Sequence, residues 1–204
     1  MHNFLRNLCM PKKQASLPPA VRKPRADAQR NRERILEIAR EAFTQHGPVA
    51  TLDDIARRAE IGPGTLYRHF PTRDALIEAV FRSQVEKLTA AGQRYAVTMR
   101  PLEALRAWML LFIEYVASKL LILPAMDTVP GGSMRLIEGT HGLIHSTFRG
   151  LVQRAVDSGD LHAGTDPDDI IRALVGVFHT TSLPGWEPSA RRIVDVLIDG
   201  SRRK

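Results

Sequence analysis

A single cysteine, Cys9, stands in a chain of 204 residues. No disulfide can form within the chain, and no Cys-rich metal cage is available, which fits a reducing compartment and leads us to expect the cytoplasm. Long apolar runs are also missing. Leu120-Leu-Ile-Leu123 stops at Pro124, far short of the roughly 20 residues that cross a bilayer, so no membrane association is expected. The first ten residues lack a continuous apolar core and run straight into Pro11-Lys12-Lys13, which argues against a secretory signal. No stretch alternates strictly between apolar and polar residues within turn boundaries, so strands are not expected. No phosphate loop, nucleophile elbow or paired-acid motif occurs, so no enzyme is expected, nor any cofactor.

The apolar share of 44% is enough to build a core. Charge is distributed unevenly. Residues 1–100 hold 18 Lys/Arg against 10 Asp/Glu, while residues 101–204 hold 11 against 12. The positive excess lies wholly in the first half, as in a chain with one end meeting a polyanion.

Residues 1–26 contain Pro11, Pro18, Pro19 and Pro24 with scattered Lys and Arg and no apolar period. Two readings stay open here: a basic arm touching a DNA groove, or a solvated leader. Helical patterning starts near Ala28. The spacing predicts helices over about 30–46, 52–59, 63–69, 73–97, 101–119, 134–157, 167–181 and 188–200. Gly47-Pro48 ends the first and Thr51, with Asp54 three residues on, caps the second. Pro63 opens the third, Thr72 caps the fourth, and Asp166-Pro-Asp-Asp169 starts the seventh.

Two short helices joined by a tight turn over 51–70 have the layout of a helix-turn-helix. Ala56 and Ala59 are small enough for two helices to cross closely, and Ile61, Leu66 and Phe70 are spaced to anchor the second. Pro63, Gly64, Thr65, Tyr67, Arg68 and His69 are left to face outward, a small, hydroxylic and basic set without a carboxylate.

The string Thr51-Leu-Asp-Asp-Ile-Ala-Arg-Arg-Ala-Glu-Ile-Gly-Pro-Gly-Thr-Leu-Tyr-Arg-His-Phe70, followed by Pro71-Thr-Arg-Asp-Ala-Leu76, closely resembles the DNA-binding signature of the TetR (tetracycline-repressor-like) family. Arg34-Ile-Leu and Ala42-Phe43 before Gly47 match it as well. The resemblance is specific over about 30–82. It implies an all-α protein of about nine helices: a three-helix helix-turn-helix domain (27–86), joined by a long helix to a regulatory, dimerising domain (87–204). It further implies phosphate contacts at Thr51, Thr65 and Arg73, backbone contacts at Tyr67 and His69, and base readout at Arg68. Glu60 departs from the pattern, because glycine is frequent at that turn position; a left-handed backbone there would cost Glu roughly 1 kcal/mol.

The resemblance also implies a homodimer on a roughly palindromic double-stranded operator, acting as a repressor and released by a small apolar or amphipathic effector. Ile170, Ile171, Leu174, Val175, Val177 and Phe178, then Ile193, Val194, Val196, Leu197 and Ile198, make the last two helices apolar nearly all round. A partner subunit would cover their outer side, with Leu174, Phe178, Ile193 and Leu197 as candidate interface residues. Trp108, Met109, Phe112, Tyr115, His141, Phe148 and Phe178 are candidate effector-pocket residues. His141 and His145 have metal-ligand spacing, but without a Cys or neighbouring carboxylate in sequence no metal site is expected.

Overall fold

The computed structural model describes residues 24–122, 132–177 and 186–203. These form eight α-helices, α1 (Pro24–His46), α2 (Leu52–Arg58), α3 (Pro63–His69), α4 (Arg73–Thr98), α5 (Pro101–Ile122), α6 (Gly132–Asp157), α7 (Pro167–Val177) and α8 (Trp186–Ser201). A 3-10 turn at Gly47–Val49 follows α1. Among the described residues there are thus eight helices rather than about nine; the Pro- and Gly-bearing segment 123–131 lies outside them. None of the described helices is long and apolar enough to cross a membrane.

The helix boundaries follow local chemistry. The Thr51 hydroxyl accepts a 3.1 Å bond from the Asp54 N–H and donates to the Asp54 carboxylate, closing the first turn of α2. Thr72 Oγ1 accepts from the Ala75 N–H at 3.1 Å and does the same for α4. Gly159, at φ +80°, ends α6 in the left-handed conformation, and Asp166 Oδ1 receives the Asp168 N–H at 2.8 Å to open α7. One expectation is corrected: α1 begins at Pro24, so residues 24–26 belong to a helix rather than to an arm. Proline suits a first helical turn, where its missing N–H leaves nothing unpaired. Residues 1–23 of the expected arm fall outside the described residues.

Two cores divide on α4. Ile35, Phe43, Ile55, Leu66, Phe70, Leu76, Val80 and Phe81 close the head. Val85 and Leu88 open the body core, which continues through Trp108, Phe148, Leu151, Leu174 and Val194. The division falls between Phe81 and Val85, within one turn of a continuous helix. The Glu37 carboxylate on α1 receives Lys87 Nζ of α4 at 2.6 Å across this division. Burial pushes the Glu37 carboxyl up, but Lys87 and Arg40 outweigh it and hold the group below its usual range.

Within the body, α5 turns back on α4, and the Trp108 indole N–H donates to the Leu88 carbonyl at 3.1 Å. Gly92 of α4 lies against Trp108 and Thr147, and one turn on Arg154 of α6 donates to the Ala96 carbonyl. Helices α4 and α6 therefore run parallel, with α5 antiparallel to both. The α6–α7 link is tied to the end of α8 by a Leu161–Arg202 bridge and by His162 N–H donating to the Ser201 carbonyl at 3.0 Å.

The expectation that α7 and α8 are apolar all round is also corrected. Ile170, Ile171, Leu174, Ala190, Val194 and Ile198 are buried in the chain's own core, while Arg172, Arg191, Arg192 and Asp199 occupy outward positions. The outward apolar residues are fewer: Val175 and Val196 are exposed, and Ile193 and Leu197 half-buried. Charged residues fall at the spacings between the apolar ones, so each helix has a single fully apolar face. Leu174 is fully buried inside its own subunit and presents nothing to a partner. Phe178, expected both in the pocket and at the interface, lies outside the described residues.

Candidate nucleic-acid interface and effector cavity

The head is organised around α3. Leu66 is completely buried and Phe70 nearly so, which locks one side of this seven-residue helix into the core. The opposite side carries Pro63, Gly64, Tyr67, Arg68 and His69, all exposed, with Thr65 half-buried at the edge. All the outward candidates of α3 are thus at the surface. A Cβ placed on Gly64 would meet nothing within 4 Å, so no internal packing requires glycine there.

The Arg68 guanidinium folds back along α3, donating to the Gly64 carbonyl at 3.1 Å and to Thr65 Oγ1 at 3.4 Å. These are weak, exposed bonds that a better acceptor can displace. Arg73 is held differently. It is half-buried, donates to the Gly47 carbonyl at 3.2 Å, and stacks its guanidinium over the Phe43 ring at 5.2 Å. The residue expected to hold a phosphate is therefore engaged in joining the start of α4 to the end of α1. Thr51 is exposed, with its hydroxyl occupied by the α2 cap. The turn between α2 and α3 holds Glu60 at φ +53°, the left-handed conformation expected to strain a non-glycine residue.

The body contains a cleft of about 590 Å³ among α5, α6 and α7. Of the expected pocket residues, Phe112, Tyr115 and His141 line it. Trp108, Met109 and Phe148 do not; all three are buried in the solid core behind. They form its aromatic floor, since Trp108 stacks on Phe112 at 5.4 Å and on Phe148 at 5.3 Å between ring centroids. The lining also includes residues that sequence reasoning missed: Lys119, His145, Arg149, Asp168 and Arg172. Part of the signal was present, because His141, His145 and Arg149 repeat every fourth residue beside the apolar Ile144–Phe148 stripe.

Asp168 does more than start α7. Its carboxylate pairs with Arg149 Nη2 at 2.7 Å and lies 3.5 Å from His145 Nδ1. The Arg149 hydrogen bond holds Asp168 below the usual carboxylate range. A carboxylate near the two histidines is thus supplied by another helix, contrary to expectation. The imidazoles of His141 and His145 stack at 3.8 Å. Burial first, then the neighbouring His141, pushes His145 down, and Asp168 only partly offsets this. Even so, no group of three His, Cys, Asp or Glu among the described residues is placed to hold a metal ion. Arg149 already neutralises the one carboxylate.

Comparison with known proteins gives this arrangement a family. The model of the bacterial regulatory proteins of the tetR family matches residues 35–80, from the middle of α1 into α4. The chain is 33% identical over 98 residues to the HTH-type transcriptional regulator UidR of Escherichia coli, 48% of this chain and 44% of that protein. It thus spans less than half the length of this curated relative. Solved structures extend the likeness over the whole fold. A TetR transcriptional regulator from Streptomyces coelicolor is 36% identical with a TM-score of 0.78, covering 85% of this chain and 99% of that one. A TetR transcription regulatory protein from Mycobacterium vanbaalenii is 31% identical with a TM-score of 0.74, covering 88% and 99%. Head, connecting helix and body all agree with these relatives, and the chain belongs to the TetR family of bacterial transcriptional regulators.

Proposed function

We propose that the chain binds a roughly palindromic DNA operator as a homodimer, represses transcription there, and is released by a small molecule seated among α5, α6 and α7. Residues 27–86 act as the reading head and 87–204 as the regulatory and dimerising part; no catalysis is involved. The observation that carries this reading is the two-sided character of α3. Its apolar residues are buried, and its exposed face is small, basic and free of carboxylates. Such a face suits phosphates and base edges in a major groove.

Arg68 is the base reader in this reading. Its present bonds run to its own helix and give way to a guanine edge, where a bidentate contact is worth about 1–3 kcal/mol of discrimination. Tyr67 and His69 contact the DNA backbone, and Thr51 and Thr65 supply hydroxyls beside it. Arg73 acts indirectly, by fixing where α4 begins. The outward Val175 and Val196 with half-buried Ile193 and Leu197 support a second copy of the chain as the partner. Two heads related by a two-fold axis then meet two half-sites.

Binding-site selection with the whole protein, combined with sedimentation of the selected complex, tests this. A palindromic consensus bound by two chains is expected, and Arg68→Ala should flatten preference at one position of each half-site. Sequence-independent coating of DNA would instead make the protein architectural and overturn the reading. A reporter gene carrying the selected site should be more active without the protein than with it.

A further inference from the structure

We propose that the α5–α6–α7 cleft takes an amphipathic anion, a drug-sized molecule with one carboxylate on an apolar body, and that Lys119 supplies its counter-charge. This rests on the effector reading above and names the chemistry of the ligand.

The inference starts from an imbalance of charge. Three cationic side chains line the cleft, Lys119, Arg149 and Arg172. Two of them are already paired: Arg149 with Asp168 at 2.7 Å, and Arg172 with Asp169 at 2.8 Å. Lys119 has no ion pair or hydrogen bond with any described residue, and it is half-buried. An ammonium withdrawn from water without a counter-charge is costly. The burial pushes Lys119 below the ordinary lysine range, and no neighbouring charge among the described residues opposes it.

Position along the helices sets the shape of the ligand. Lys119 lies one turn beyond Tyr115 and Val116, which lie one turn beyond Phe112. The aromatic floor is thus at one end of the α5 wall, and at the other is the cation without a partner among the described residues. Ile144 and Ile171 continue the apolar wall from the other two helices. A volume of about 590 Å³ lies within the range usual for drug-sized ligands. An apolar body packs along Phe112, and its carboxylate reaches the Lys119 ammonium. A neutral ligand leaves Lys119 without a counter-charge among the described residues. A cationic ligand meets Lys119 with Asp168 and Asp169 already bound to arginines.

Calorimetric titration of the whole protein at neutral pH tests this with two matched series: decanoate, 1-decanol and decylamine; and 1-naphthylacetate, 1-naphthaleneethanol and 1-naphthaleneethylamine. Within at least one series the acid should bind about 10- to 100-fold tighter than its alcohol, as expected of one charge-assisted contact in a sheltered site. Lys119→Met, close in size and still folded by its melting curve, should abolish that preference while keeping the alcohol's affinity. Lys119→Glu should turn the preference toward the amine. An alcohol or amine binding as tightly as its acid in both series would overturn the proposal. So would failure of both acids to bind, or a preference surviving in Lys119→Met. Operator release is measured on the same samples. An acid bound through Lys119 that leaves the operator complex intact overturns the release reading and leaves the ligand class standing.

Discussion

Two glycines divide the molecule more sharply than its charge does. Gly64, in the head, opens onto empty space, so its smallness serves nothing inside the protein. Gly92, in the body, is pressed between helices: a Cβ there would collide with Thr147 Cγ2 and lie 3.0 Å from the Trp108 ring. At Gly92 the body uses the missing side chain to bring α4 and α6 together, while at Gly64 the head leaves the space over α3 open. Substitutions at the two sites should fail in opposite ways.

The larger effect belongs to Gly92→Ala. Thr147 is pinned by its hydroxyl donating to the Leu143 carbonyl at 2.9 Å, and Trp108 by its bond to Leu88, so neither neighbour yields freely. The overpacking should cost about 1–3 kcal/mol in urea denaturation, although alanine normally gains about 1 kcal/mol over glycine in a helix. Adding Thr147→Ser, which removes the offending methyl, should restore most of the loss. A stabilised single mutant would break the contrast. Gly64→Leu comes next. Its melting temperature should match the parent, while operator affinity falls about tenfold or more, equivalent to about 1.4 kcal/mol. Unchanged operator affinity would remove α3 from the interface.

The turn between α2 and α3 offers a smaller effect in the other direction. Glu60 stands at φ +53° and is exposed, so Glu60→Gly should stabilise the head by up to about 1 kcal/mol, read from denaturant midpoints. The smallest effect lies beside the cleft. His145 is pushed below its ordinary value of 6.5, chiefly by burial, so the folded chain favours the neutral ring. As pH falls, the unfolded chain takes up this proton first. The associated stability is present above the unfolded pKa and is lost toward the lower folded one. Melting curves between about pH 7.5 and 5.5 should show the parent losing slightly more than His145→Gln.

The head was legible in the sequence because its determinants are local. A cap and its partner are three residues apart, Pro63 starts α3 by its own chemistry, and Leu66 and Phe70 are four apart. The left-handed conformation at Glu60 was legible only through the family resemblance, in which glycine is frequent at that turn position. The cleft was legible only in outline, since Phe112, Tyr115 and His141 were recognised but their charged neighbours were not. Asp168 reads as a helix-start acid until the fold brings it to Arg149, nineteen residues away. Arg73 reads as a phosphate ligand, and the fold adds a carbonyl partner at Gly47, 26 residues back, that engages one of its five N–H donors. Spacing within one helix cannot reveal a partner on another. It also cannot tell which apolar residues of α7 and α8 their own core consumes: Leu174 reads as an outward residue until the fold buries it completely.

The packing of Trp108 makes the protein its own optical probe. The chain has two tryptophans. Trp108 is fully buried, with its ring stacked on Phe112 at the cleft and its N–H fixed to a carbonyl of α4, whereas Trp186 is half-buried at the start of α8. A molecule settling against Phe112 changes the electrostatic field at an indole that also senses the helix leading to the head. With Trp186 replaced by Phe, the emission wavelength of the remaining indole should shift when a molecule settles against Phe112, without any attached dye.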